Sequence, residues 1–289
     1  MPSSPRHSAA ALFTKLFMLR SEGTFNGSFL VVEGDDDSRF WSRWHAAEYC
    51  KIEIAGGRPS VEGVIARADG RRFPGTLGIV DADFSGIDGA PKSPNLLYTD
   101  HHDLEALLLQ SSALEHLLIY YGDADRIRGF VSSAGHSVRD ALLARGLPFG
   151  RLRWLSERRT LRLPFDKLHP SNFLASDSWH LDSERLHHEA SRLCNLTPSE
   201  LHTHLDALPD APAWALCQGH DLLAILHRGL GSALGRSAPN LRALSASLHL
   251  AYQQHNLHSS QLHREIRAWE DRNPPYRILA HTTPASTPS

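Results

Sequence analysis

The sequence predicts an α/β fold, in which a parallel sheet flanked by helices comes first and an all-helical region follows. Two observations support this fold class. About the first 110 residues alternate short apolar runs with segments of helical period, the order expected of βαβ units with right-handed crossovers. After about residue 103 the strand-like runs stop, and the later periodic segments have the helical repeat.

The sheet is predicted from four strand-like segments, at residues 28–32, 51–55, 76–80 and 95–98, of which the first is a short continuous apolar run. Short continuous apolar runs are typical of buried parallel strands. Helices are predicted between them. Asp36 or Asp37 begins one, because carboxylates are favourable at a helix N-terminus, and Pro59 suits the first turn of the next. An amphipathic helix over residues 9–19, capped by Ser8, precedes the sheet.

The second half is predicted to be helical throughout. One long apolar helix is expected over residues 104–121, and shorter ones over 182–194, 198–207, 220–234, 240–254 and 259–270. The Gly-rich segment 229–237 lacks the Walker A spacing and is predicted to be a helix end or loop. The expected organisation is an N-terminal helix (1–24), a sheet domain (25–120), a helical domain (121–280) and a flexible tail (281–289).

The composition is that of a folded cytoplasmic protein. Hydrophobic residues make up 41% of the chain and charged residues 21%, which excludes a disordered chain. Cys50, Cys194 and Cys217 are widely spaced, which indicates buried thiols in a reducing compartment. No apolar run reaches the roughly 18 residues of a membrane span. The net charge of −2 argues against a surface wholly dedicated to nucleic acid.

Carboxylates follow two of the predicted strands. Glu33 ends the first strand, and Asp81 and Asp83 follow the third. Ligands of open parallel sheets bind beyond the carboxyl ends of the strands. If these two strands are neighbours, three carboxylates meet at one edge, where their mutual repulsion implies a bound cation. Asp37, one helical turn after Glu33, and Glu105, after the fourth strand, could reach the same edge.

The same acidic residues can also be explained by structural roles without any metal site. Asp35 and Asp36 are best explained as the N-terminus of a helix. An isolated Asp-x-Asp is often a solvated turn. Glu33 is harder to dismiss, because a carboxylate at the end of a buried strand is costly unless it is used. We therefore favour a magnesium site, since Mg²⁺ prefers oxygen ligands.

These motifs resemble a known family. Residues 29–37 (Phe-Leu-Val-Val-Glu-Gly-Asp-Asp-Asp) followed by residues 79–84 (Ile-Val-Asp-Ala-Asp-Phe) resemble the Toprim domain of topoisomerases, primases and overcoming-lysogenization-defect nucleases. With residues 55–61 and 99–108 added, the pattern is similar to the Toprim-like DUF4435 family. Members of that family include the effector nuclease of a two-component anti-phage system, which acts with an ABC-type ATPase. The resemblance covers about residues 25–112, and residues 218–223 match a later helical feature.

The resemblance implies an activity and a role for each acid. It implies a Toprim-like fold and a Mg²⁺-dependent endonuclease, with Mn²⁺ as a possible substitute, that hydrolyses DNA or RNA in antiviral defence. Glu33, Asp81 and Asp83 would be catalytic. Asp37 and Glu105 would join these three as further metal ligands. The implied partners are nucleic acid, an ABC-type ATPase and a second copy of the chain. No association with a membrane is expected.

Basic residues could hold the substrate. Arg58, in the Gly-Gly-Arg turn, matches a family position and could hold a phosphate. Residues 126–167 contain ten Lys or Arg against three Asp or Glu, with Trp154 and Phe149 among them, a pattern that can bind a phosphate backbone. The expected contacts are those of Arg153, Arg158 and Arg159. A solvated helix face, with Arg stems over the core, explains the same pattern equally well.

Histidine pairs do not predict a metal site. His187 and His188 are consecutive, and His202 and His204 are two apart, so each pair points to different sides of a helix. His101-His102 lies beside the acidic edge, where a turn residue is a better explanation than a proton shuttle.

Two other functions fit part of the pattern. Residues 81–85 fit the Asp-x-Asp-x-Ser start of a haloacid-dehalogenase-type phosphohydrolase, with Asp81 as nucleophile, but the helical second half does not clearly supply the later Lys and acidic pair. The alternative to an enzyme is a non-catalytic, Toprim-shaped interaction or regulatory module that partners an ABC-type ATPase. The complete set of Glu33, Asp81 and Asp83 argues against it.

Overall fold

A four-stranded parallel sheet lies in the N-terminal part of the chain and an all-helical region follows it, which confirms the predicted fold class. The computed structural model describes residues 8–89 and 93–280. The tail predicted over residues 281–289 lies outside the described residues. No helix within the described ranges is long and apolar enough to cross a membrane.

The strands closely match the predicted runs. They are β1 (Ser28–Val32), β2 (Cys50–Ile54), β3 (Thr76–Val80) and β4 (Leu96–Tyr98). The order in the sheet is β2-β1-β3-β4, with every neighbouring pair parallel. β1 and β3 are buried at every position. β1 and β3 are therefore neighbours, which was the condition for bringing Glu33 close to Asp81.

Helices connect and follow the strands. Those around the sheet are α1 (Ala9–Ser21), α2 (Asp35–Ser42), α3 (Arg58–Gly70) and α4 (Ser85–Asp88). Those after β4 are α5 (Leu104–Gln110), α6 (Ala113–Tyr121), α7 (Ala124–Ala134), α8 (Val138–Arg158), α9 (Ser183–Leu193), α10 (Pro198–Asp206), α11 (Ala213–Leu216), α12 (Gly219–Leu230), α13 (Leu241–Ala251), α14 (Gln254–Ser259) and α15 (Gln261–Arg272), with a 3₁₀ turn at Pro170–Asn172. The segment 229–237 is a helix end and loop, as predicted.

The single long helix predicted over residues 104–121 is wrong, because the chain breaks into α5 and α6. Ser111 has extended backbone. Its hydroxyl donates to the carbonyl of Leu108 at 2.7 Å and accepts from the N–H of Ala113 at 3.1 Å. A serine side chain that satisfies neighbouring backbone groups in this way competes with the helix.

Sequence reasoning did not assign α7 and α8. α8 contains Pro148 together with glycines at positions 146 and 150, residues that ordinarily interrupt a helix. The two glycines are needed for packing. A Cβ atom at Gly146 would lie 2.5 Å from Leu222, and one at Gly150 would lie 2.5 Å from the carbonyl oxygen of Leu216. α8 therefore keeps its glycines because other helices approach its backbone closely.

The chain forms two compact units. The first, here called the sheet unit, contains the described residues 8–81, 93–100 and 257–280. The second, the helical unit, contains residues 82–89 and 101–256. The division differs from the predicted boundaries. Residues 101–120 cluster with the helical unit, and residues 257–280 cluster with the sheet unit.

The core of the sheet unit lies between the sheet on one side and helices α1 and α3 on the other. α3 buries one face, formed by Val61, Val64, Ile65 and Ala68. A Cβ atom at Gly78 in β3 would lie 2.8 Å from Ile65 and 2.9 Å from Val61. Glycine at this position therefore lets α3 approach the sheet closely.

The segment after Leu257 completes the sheet unit. Asp100 caps α15, because its carboxylate accepts from the backbone N–H groups of Gln261 and Leu262, each at 2.7 Å. The indole N–H of buried Trp269 donates to Asn95 just before β4, at 2.7 Å. These contacts hold α15 beside the β4 edge of the sheet.

Candidate functional site

Glu33 links the carboxyl ends of three adjacent strands. Its Oε1 accepts a hydrogen bond from the backbone N–H of Asp81, at 3.0 Å, just beyond β3. Its carbonyl oxygen accepts from the N–H groups of Gly56 and Gly57, each at 3.0 Å, just beyond β2. The structure thus brings together two of the predicted catalytic acids at the edge where parallel sheets bind ligands.

The Gly56-Gly57 turn needs glycine for its backbone conformation. Its φ angles are +84° and +117°, in the region that side chains disfavour. This conformation aims both N–H groups at the carbonyl oxygen of Glu33 and begins α3 directly afterwards. The turn therefore fixes the position of Arg58 relative to Glu33, and both are predicted site residues.

Asp37 closes the first turn of α2. Its Oδ2 accepts from the N–H of Gly34 at 2.9 Å, while Asp36 pairs with Arg39. The interpretation of Asp36 as a helix N-terminal residue agrees with this geometry. Asp37 has a structural role here beside the one predicted from the resemblance.

Arg58 lies at the start of α3, near the carboxyl end of β4. Its Nε is 2.8 Å from Oε1 of Glu62, and its guanidinium carbon is 5.5 Å from the ring centre of Tyr98. Burial raises the pKa of Tyr98, and the nearby Arg58 opposes this shift. Sequence reasoning did not find Tyr98, although its position at the end of a strand was the available signal.

Asp83 belongs to the helical unit and has a strained backbone, with φ of +44°. Its N–H donates to the carbonyl oxygen of His102 at 2.7 Å, and its carboxylate is 3.9 Å from Nε2 of that histidine. The Asp83 side chain is 46% exposed, and His102 is buried. Burial lowers the pKa of His102, against the raising effects of the Ala215 carbonyl and Asp83. His102 thus lies in the bend before α5, as the turn interpretation expects, and its ring also lies near the Asp83 carboxylate.

Glu105 is buried in the helical unit beside two histidines. Burial acts to raise its pKa, but the hydrogen bond with His249 and the charge of His220 outweigh burial, and the net shift is downward. The predicted ligand Glu105 is therefore held as a carboxylate by residues far away in the sequence.

Asp103 is a buried acid that sequence reasoning did not single out. Burial, followed by the charge of Glu105, raises its pKa to about 7. Its two oxygens accept from the N–H groups of Ala106, at 2.8 Å, and Gly219, at 2.7 Å. A Cβ atom at Gly219 would lie 2.3 Å from Cβ of Glu105. The motif at 99–108 thus contacts the Gly-His-Asp segment at 218–223, and only glycine fits there.

Asp103 should make stability depend on pH. Its pKa is about 7 in the folded chain, against an ordinary value of 3.8. Between these values the folded state holds more protons than the unfolded state, so stability should fall as pH rises from about 4 to about 7, by at most about 1.4 kcal/mol per pH unit. Urea unfolding of wild type and Asp103→Asn across this range would show the slope shrinking in the variant. An unchanged slope would contradict the assignment.

Most arginines of the basic segment contact partners inside the helical unit. The Arg153 guanidinium donates a bidentate pair of hydrogen bonds to the Asp221 carboxylate, at 2.7 and 2.9 Å. Arg158 lies 3.9 Å from Asp88 and 5.2 Å from the Trp154 ring, and Arg159 is exposed at the end of α8. Arg139 pairs with Glu115. Arg145 donates to the carbonyl oxygen of Trp179, and Arg151 donates to that of Leu205. The exposed positive charge is thus smaller than the sequence count indicates.

The predicted metal ligands divide between the two units. Glu33, Asp37 and Asp81 lie in the sheet unit, and Asp83 and Glu105 lie in the helical unit. Over residues 8–89 and 93–280, no group of three or more His, Cys, Asp or Glu is arranged to hold a metal ion. All five predicted ligands carry carboxylate oxygens, the donor chemistry that Mg²⁺ prefers.

Comparisons with known proteins leave the chain without a family assignment. No protein-family model matches the sequence, and no curated protein matches it. The resemblance to the Toprim-like family therefore depends on the motif residues themselves.

Proposed function

We propose that this protein is a Mg²⁺-dependent nuclease of the Toprim type, which hydrolyses phosphodiester bonds in nucleic acid and acts in anti-phage defence. One observation carries the proposal. The Glu33 carboxylate lies hydrogen-bonded to the backbone of Asp81, at the carboxyl ends of neighbouring parallel strands. This is where open α/β sheets bind their ligands, and the residues are those that the motif resemblance marks as catalytic.

The roles follow from the chemistry of the side chains. Within the sheet unit, Glu33 and Asp81 would hold the ion, with Asp37 as an auxiliary ligand. The roles of Asp83 as a ligand and of Glu105 as an auxiliary ligand come from the motif resemblance alone. A bound Mg²⁺ supplies water activation and neutralises charge on the leaving oxygen. Arg58 would orient a phosphate near the sheet edge, and the exposed Arg158 and Arg159 would hold the nucleic-acid backbone through salt-sensitive contacts. Arg153 is proposed to act indirectly, since Asp221 already occupies its guanidinium.

A second candidate is a non-catalytic, Toprim-shaped module that partners an ABC-type ATPase. The observation that favours it is that Glu33 and Asp37 each accept a backbone hydrogen bond. Carboxylates can be retained for such structural bonds alone. This candidate predicts folding without any affinity for divalent ions.

Metal dependence separates the two candidates. Wild-type protein should cleave labelled DNA or RNA in Mg²⁺ or Mn²⁺, lose cleavage in EDTA, and regain it when Mg²⁺ is added back. Calorimetry of the same protein should show Mg²⁺ binding that is weakened in Glu33→Gln, because one ligand oxygen carries less charge. Calorimetry does not require a substrate or an activating partner. Absence of Mg²⁺ and Mn²⁺ binding would rule out the nuclease and favour the module.

A further inference from the structure

A cavity of about 620 Å³ lies between α9 and α10 in the helical unit. This volume is within the range of small-molecule sites. Its apolar lining consists of Leu201 and Leu205 of α10, which are largely buried, and the exposed Pro198 at the start of that helix. Apolar lining with a few convergent polar groups is the usual composition of a ligand pocket.

The polar lining of the cavity is mainly basic. Arg185, His187 and His188 come from α9, and His202 comes from α10. The structure therefore brings His187 and His202 together from two helices, an arrangement that neither sequence pair indicated. Burial and the nearby His202 lower the pKa of His187. An incoming negative charge would relieve this repulsion between the imidazoles.

We propose that this cavity binds a small organic anion. The apolar or aromatic body of the ligand would cover Leu201 and Leu205. Its phosphate, carboxylate or sulfonate group would lie against His187, His202 and Arg185. The site is separate from the proposed nuclease residues and does not depend on that activity.

Binding should tighten in mild acid. Glu184 is the carboxylate in the cavity lining. Asp206 lies 3.2 Å from Nε2 of His202, while Arg151 of α8 donates to the carbonyl oxygen of Leu205. Protonation of His187 as pH falls therefore adds positive charge to the lining beside that of Arg185, which favours an anion.

The test uses anilinonaphthalenesulfonate, an aromatic body with one anionic group, and the full chain. Fluorescence titration of wild type should give one saturable site, about fivefold tighter near pH 6 than near pH 8. The double variant His187→Gln/His202→Gln should bind about tenfold more weakly and lose most of the pH dependence. His136→Gln, an exposed histidine outside the cavity, is the matched control and should bind like wild type.

Near-UV circular dichroism of each variant separates a lost site from a lost fold. Equal binding by the double variant and wild type would place the dye elsewhere and overturn the proposal, as would the absence of saturable binding by wild type. If Zn²⁺ binds through His187 and His202 and no anion does, the cavity is a metal site and the proposal is wrong.

Discussion

Replacing Glu33 by Gln, or Asp81 by Asn, should reduce Mg²⁺-dependent cleavage by about a hundredfold or more, while the chain stays folded. The loss follows from removing a charged ligand and proton acceptor at the proposed metal site. Folding should survive Glu33→Gln, because the amide oxygen of the new side chain can still accept the hydrogen bond from the N–H of Asp81. Single-turnover cleavage rates in Mg²⁺, with thermal unfolding in parallel, measure both effects.

Asp36→Asn is the control for this experiment. Asp36 is an exposed acid close to Glu33 in the sequence, and it pairs with Arg39 instead of lying at the end of a strand. Its variant should cleave at nearly the wild-type rate. If Glu33→Gln cleaves as fast as wild type, the catalytic assignment is wrong. If Asp36→Asn is equally inactive, the loss reflects general acidity and not a specific ligand.

Replacing Arg153 by Met should destabilise the chain by about 3–5 kcal/mol, the cost of leaving a buried charge without its partner. The Asp221 side chain is only 7% exposed, and Arg153 is 21% exposed. Removal of the guanidinium from α8 leaves the buried Asp221 carboxylate of α12 without this ion-pair partner. Equilibrium urea unfolding measures the change in the free energy of unfolding.

A double variant and a surface variant complete this experiment. Arg153→Met combined with Asp221→Leu should recover most of the stability, because both charges are removed together. Arg159→Met should leave the free energy of unfolding unchanged but weaken nucleic-acid binding at low salt. A stable Arg153→Met protein with weakened binding would instead make Arg153 a direct substrate contact and would contradict its structural role.

The strands could be predicted because the sequence carries their signal locally. β1 and β3 are continuous apolar runs, buried along their whole length, and their predicted bounds match the structure. α8 could not be predicted, because Pro148 and two glycines obscure its period. Its helix is stabilised by close packing against distant segments, which no local pattern reveals.

The residues of the candidate site also differ in whether a local sequence signal reveals them. Glu33 and Asp81 were found because strand ends are visible in the sequence, and the sheet order then makes them neighbours. The pairing of Arg153 with Asp221 and the contact of Asp103 with Gly219 join residues 68 and 116 positions apart. Such pairs require the fold itself. Counting the arginines of the basic segment therefore overstated the charge available to a ligand.

The α15 contacts described above affect the order in which the nascent chain can acquire its structure. Asn95 and Asp100 form hydrogen bonds with Trp269 and Gln261, which lie 174 and 161 positions later in the sequence. At about 5–20 residues per second, a ribosome needs roughly ten to thirty seconds to synthesise that interval. During that time the β4 edge is made but uncovered, and an uncovered strand edge favours pairing with other chains. Fragments that stop before α15 should for the same reason be prone to aggregation.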